Sequence, residues 1–197
     1  MAKTYRPGDW RRDIRVAKWE IEYIGIFNLK SLYQMMYDFF DEEGWENPKG
    51  GEAEEFYFQR DVPNVGKEMR YWWRFQLIPN DSQYTRYLMK LDVRCLMMKT
   101  IEIVVDGKKH KTWKGSITMF CEAWLQLDYT NRWQNHTILK HFDKFFRERI
   151  YKPYWEAHRL ELYKKCYDVN REVKKFLKLK TPYPENKPWR GGKGTPY

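Results

Sequence analysis

Three segments of the chain alternate apolar and polar side chains, and this period of two constrains the fold more than any other feature, since it is the repeat of a strand buried on one face. Met69, Tyr71, Trp73, Phe75 and Leu77 interleave with Arg70, Trp72, Arg74 and Gln76. Tyr87, Met89, Leu91, Val93, Cys95 and Met97 interleave with Leu88, Lys90, Asp92, Arg94 and Leu96, and the extended character continues to Val105. Ile117, Met119, Cys121, Ala123, Leu125 and Leu127 interleave with Thr118, Phe120, Glu122, Trp124 and Gln126. Asp106-Gly107 separates the second from the third and is the dipeptide of a tight hairpin turn. The apolar parity shifts between Met97 and Ile101, which predicts a bend or bulge there. A shorter alternation, Trp19 to Tyr23, and a strand beginning at Phe56-Tyr57-Phe58 bring the expectation to about five antiparallel strands in mostly hairpin order.

Helical periodicity occupies the rest. Asn28 is a candidate N-cap for a short helix after the first strand, with Leu29, Leu32, Tyr33, Met36, Phe39 and Phe40 at three- and four-residue spacing and Gly44 at its end. Asn135 or Thr137 is placed to cap a long C-terminal helical region reaching about Lys180. Its stripes are Ile138, Phe142, Phe145, Phe146 and Arg149, then Leu160, Tyr163, Cys166, Tyr167, Val173, Phe176 and Leu177. Pro153 predicts a kink or short break between them. The class is therefore α+β: an antiparallel sheet, one short helix after strand 1, and a Pro-kinked C-terminal helical region.

The chain is long enough for one domain with a core, read here as residues 16–180 between a basic arm (1–15) and a Pro/Gly-rich extended tail (181–197). Leu, Ile, Val and Phe make up about a fifth of the residues, near the lower limit for a folded charged chain, while Phe, Trp and Tyr account for 18%. Aromatic side chains are expected to supply burial that aliphatic ones usually supply. Thirty-seven Lys and Arg against 27 Asp and Glu give a net charge of +10, which favours an acidic partner. Against that balance, residues 41–55 hold seven acids and one lysine around Pro48-Lys49-Gly50-Gly51 and read as an exposed acidic loop.

Several chemistries lack their residues. His136 and His141 have no zinc-site spacing, His110 lies among lysines, and His158 near Glu161 suits a surface hydrogen bond. P-loops, dinucleotide fingerprints and nucleophile elbows are missing, because the glycine clusters lack the flanking strand and helix those motifs need. Cys95, Cys121 and Cys166 are widely spaced and read as reduced, packed thiols. The expectation is a non-enzymatic protein without metal or cofactor, with no apolar run long enough for a membrane span and no signal-like leader, hence cytoplasmic.

Basic residues interleaved with aromatic ones are the remaining signal. Lys108, Lys109, Lys111 and Trp113 form a hairpin finger suited to tracking phosphates and stacking on a base. Arg70 and Arg74 flank Trp72, Arg11 and Arg12 follow Trp10, and Arg190 follows Trp189 in the tail. Lys108, Lys109, Lys111, Trp113, Arg70, Arg74, Arg11, Arg12 and Arg190 are the candidate contacts to nucleic acid or a ribonucleoprotein. Lysines at a hairpin tip also keep a sheet edge soluble, and Trp72 has packing under a helix as its alternative. A second reading is self-association, with the acidic loop docking on a neighbour's basic face and the tail lacing copies together. The order strand, helix, four antiparallel strands, long C-terminal helix resembles the helix-grip arrangement of START-like domains over about residues 16–180. That resemblance implies a third reading, an apolar-ligand carrier with Met89, Met97, Met119 and Trp73 lining a pocket.

Overall fold

The computed structural model describes residues 12–48, 50, 54–105 and 108–179. Five antiparallel strands form one sheet: β1 (Asp13–Phe27), β2 (Glu54–Val62), β3 (Gly66–Leu77), β4 (Thr85–Val105) and β5 (Lys108–Leu127). Their spatial order is β1-β5-β4-β3-β2, so three consecutive hairpins run from β2 to β5 and the N-terminal strand closes against β5. Val105 pairs with Lys108, consistent in length with a two-residue connection, although Asp106-Gly107 lies outside the described residues. β1 begins at Asp13, within the stretch read from sequence as arm.

Four α-helices follow the sequence periodicity with one change. α1 (Leu29–Glu42) is capped by Asn28, whose side chain accepts the Ser31 N–H at 3.2 Å. It ends as expected at Gly44, whose φ of +74° lets the chain turn back so that the Trp45 N–H reaches the Phe40 carbonyl. The C-terminal region has the expected break near Pro153 and is interrupted earlier as well. α2 (Arg132–Asn135) and α3 (Leu139–Phe145) are short, a π-type turn spans Phe146–Ile150, and α4 (Lys152–Phe176) is the long element. The break falls at Tyr151 and Pro153 occupies the first turn of α4, where its missing N–H costs no helical hydrogen bond.

One face of the sheet carries the core. Trp19, Ile21, Met69, Tyr71, Trp73, Phe75, Tyr87, Met89, Leu91, Ile117, Met119, Ala123 and Leu125 are buried there under α1 and α4. α4 presents Leu162, Cys166, Val169, Asn170 and Val173, a stripe at helical spacing. The aromatic share of the core is concrete: Phe40 stacks on Phe75 at 3.9 Å, Trp45 meets Phe40 edge-on, and Trp73 lies between Tyr33, Tyr71 and Phe75. Polar bonds fix α4 to the sheet. Trp19 Nε1 donates to the Cys166 carbonyl at 3.0 Å, and Tyr87 Oη donates to Glu161 Oε2 while lying 2.7 Å from His158 Nδ1. His158 thus belongs to a helix-to-sheet clamp rather than a simple surface bond. The three cysteines are free and buried, with burial pushing the Cys95 thiol up to about 12.

The predicted irregularity in β4 lies between Leu96 and Lys99. Met97 takes a φ of +54° and turns outward, 53% exposed, while Met98 fills the inward position. Gly115 of β5 makes this bulge possible: a Cβ there would lie 2.5 Å from Met98 Sδ and 2.9 Å from the Leu96 carbonyl oxygen. Gly115→Ala is therefore expected to cost about 1–3 kcal/mol through overpacking, measurable by urea denaturation. A cost below the error of that measurement would show that the bulge yields freely.

Candidate nucleic-acid interface on the open sheet face

The pairing register fixes which side chains share the other face of the sheet, which no described helix covers. Reading across β1-β5-β4-β3-β2, one row is Glu20, Phe120, Asp92, Trp72 and Phe56. The row on one side is Lys18, Glu122, Lys90 and Arg74; on the other it is Glu22, Thr118, Arg94, Arg70 and Phe58. Beyond Lys18, the bulge between Arg15 and Ala17 brings Arg15 opposite Trp124. An aromatic row is thus bordered by rows rich in cations, and neighbouring strands place successive members about 5 Å apart.

The aromatic surfaces are accessible. Trp72 is 40% exposed and Phe120 38% exposed. Trp72 stacks on Phe56 with ring centroids 4.4 Å apart, and the Arg74 guanidinium lies 5.7 Å from the Trp72 ring. Trp124 is flanked by Arg15 at 5.8 Å and Lys90 at 5.7 Å. These are cation-aromatic pairs at the outer limit of useful distance.

The electrostatics are mixed. Arg74 Nη1 bonds Asp92 Oδ1 at 2.5 Å and also donates to the Trp73 carbonyl. Arg70 bonds Glu68 at 2.5 and 2.9 Å, and Arg60 reaches the other oxygen of the same carboxylate. The Arg70 hydrogen bond holds the Glu68 carboxyl below the ordinary carboxylate range, against the opposing effect of desolvation. Arg94 and Lys18 are exposed and form no ion pair among the described residues.

The sequence candidates separate into groups. Arg70, Arg74 and Trp72 do come together on the open face, and Trp72 is outward rather than under a helix. Trp113 is half-buried against the core, paired with Phe27 of β1 and Thr100 of β4, so it is no free stacking platform. Lys109 and Lys111 are exposed in β5, and Lys108 begins that strand. Arg12 is tied to Asp128 at 3.1 Å and to Asn131, with its side chain 12% exposed. Arg11 and Arg190 lie outside the described residues, as do the Trp10 and Trp189 beside them. Sequence reasoning did not single out Phe56, Phe120, Trp124, Lys18, Lys90 or Arg94 as site residues; their common parity in the strands was the available signal.

The residues of the other readings are also placed. Glu43 accepts from Lys165 at 2.6 Å, and Glu46 forms a backbone bridge to Gln76, so part of the acidic loop is tied down internally. Trp45 within it is buried. Met89, Met119 and Trp73 are fully buried in the packed core. Among the described residues no group of three or more His, Cys, Asp or Glu is placed to hold a metal ion, and no helix is long and apolar enough to cross a membrane. No protein-family model matches the chain, and no curated protein matches it in sequence.

Proposed function

We propose that the open face of the sheet binds single-stranded nucleic acid in a non-enzymatic role. The observation that carries this reading is the row of Phe56, Trp72 and Phe120, bordered by Arg70, Arg94, Arg74, Lys90 and Lys18 on an uncovered surface. Bases have apolar π-faces that stack on such rings at about 1–3 kcal/mol each, while the sugar-phosphate chain is held by the neighbouring cations. Arg94 and Lys18 meet phosphate directly. Arg70 and Arg74 keep their carboxylate partners and act by positioning, Arg74 over the Trp72 ring. Lys109 and Lys111 are exposed in β5 but share the parity of Trp113 and Ile117, so they stand outside this face.

The test is fluorescence anisotropy with a labelled, mixed-sequence single-stranded RNA at about 50 and about 200 mM salt. Affinity is expected to fall at least about tenfold across that range as counterions are released. Trp72→Ala is expected to weaken binding roughly 5- to 100-fold, the equivalent of one lost stacking contact. No binding at low salt, or full affinity in Trp72→Ala, overturns the proposal.

A further inference from the structure

α3 and the turn after it are turned inside out. Ile138, Phe142 and Phe145, at i, i+4 and i+7, share one side of the helix and are 62%, 57% and 57% exposed; Ile150 is 55% and Tyr154 64% exposed. The buried side instead holds Asp143, whose Oδ2 accepts from Gln134 Nε2 at 3.3 Å and lies 3.9 Å from Arg147. The orientation is fixed from below: Phe146 stacks on Trp133 at 4.2 Å and on Tyr151, Tyr84 meets all three rings edge-on, and Trp155 Nε1 donates to the Arg147 carbonyl. Rolling the apolar stripe inward would break this cluster and expose it in exchange.

Contiguous exposed apolar surface of this kind marks an interaction site. We propose that this face docks on the surface of an anionic lipid bilayer, independently of the nucleic-acid reading of the sheet. Charge complementarity selects that occupant. Lys140, Lys144, Arg149 and Lys152 are exposed in the same stretch, against Glu148 as its exposed acid and Glu156 3.9 Å from Lys152. A bilayer interface supplies acyl chains for Ile138, Phe142, Phe145 and Ile150 and phosphate headgroups for the four cations at once. Single-stranded nucleic acid satisfies the cations but offers little to two isoleucines. In a two-fold contact a second copy would bring the same basic rim against itself. The face lies in the interface without crossing it, consistent with the length and polarity of the described helices.

The experiment is co-sedimentation of the full chain with vesicles of phosphatidylcholine alone and with about 30% phosphatidylserine added, together with its mass in solution without lipid. The wild-type chain is expected to bind the anionic vesicles and to bind neutral ones weakly. Phe142→Ser with Phe145→Ser is expected to reduce vesicle binding about tenfold or more while leaving thermal unfolding and RNA affinity unchanged, since both rings are exposed. Lys140→Gln with Lys144→Gln is expected to remove most of the preference for anionic lipid. Absence of vesicle binding, or equal binding by the wild-type and Phe142→Ser/Phe145→Ser chains, overturns the proposal. A lipid-free dimer that the serine variant dissociates overturns it in favour of a second copy.

Discussion

Asp128→Ala is expected to lower the free energy of unfolding by about 3–5 kcal/mol, the range for removing one partner of a buried ion pair. Asp128 is 1% exposed at the end of β5, and its Oδ2 accepts from Arg12 Nη1 at 3.1 Å. The same carboxylate accepts the backbone N–H groups of Trp133 at 3.3 Å and Gln134 at 3.4 Å, doing for α2 what an N-cap does from a few residues upstream. Alanine takes the carboxylate away from the Arg12 guanidinium, which also bonds Asn131 Oδ1, and uncovers two helix-terminal donors. It also has to adopt the φ of +50° found at this position, a left-handed conformation that costs alanine about 1 kcal/mol and that asparagine tolerates. Asp128→Asn should therefore cost clearly less, retaining one acceptor and the backbone preference. In a double-mutant cycle, Arg12→Ala is expected to destabilise less in the Asp128→Ala background than in the wild type, because the charge it removes has already lost the Asp128 carboxylate. Urea denaturation of the four proteins measures this. Additive losses would show that the pair is not coupled.

Arg12 illustrates what the sequence could and could not convey. Its neighbours, Trp10 and Arg11, made it one of a basic-aromatic group indistinguishable in composition from Arg70-Tyr71-Trp72-Trp73-Arg74. The difference lies 116 residues away, in Asp128, and pairing across that distance is set by the closure of β1 on β5. Trp113 was misleading for a related reason. Its place near a hairpin tip suggests exposure, but β1 continues to Phe27 and covers it, past Ile24, Gly25 and Ile26, which break the clean alternation that ends at Tyr23. Within a strand, by contrast, period two decides sidedness, so the core positions of β3, β4 and β5 were legible residue by residue up to the bulge. Beyond it Met97 and Met98 exchange roles, since one extra residue reverses parity. The stripe Ile138, Phe142 and Phe145 also stands at helical spacing in the sequence, but spacing alone cannot say whether such a stripe faces protein or solvent. Asp143 and the ring cluster around Tyr84 decide that, and both depend on tertiary contacts.

Adjacent tryptophans on β3 offer the sharpest test of sidedness, because Trp72 and Trp73 point to opposite faces of one sheet. Trp73→Ala is expected to cost about 3–5 kcal/mol: the side chain is 0% exposed, and its removal opens a cavity between Tyr33 of α1 and Tyr71 and Phe75 of β3. Trp73→Phe should behave differently. Trp73 Nε1 is buried with no hydrogen-bond partner, so the wild-type residue already bears the cost of a desolvated donor, about 1–3 kcal/mol. Phenylalanine loses part of the indole volume but removes that donor, and the two effects oppose each other at similar size. A net change within about 1.5 kcal/mol is expected. Equal losses in Trp73→Phe and Trp73→Ala would show that the indole N–H is satisfied in solution. Trp72→Ala, one residue away, is expected to change stability by no more than about 0.5–1.5 kcal/mol, mostly through the lost stack on Phe56, while weakening RNA binding. If Trp72→Ala instead unfolds the protein as readily as Trp73→Ala, the outer aromatic row is structural and the open face loses its claim as a binding surface.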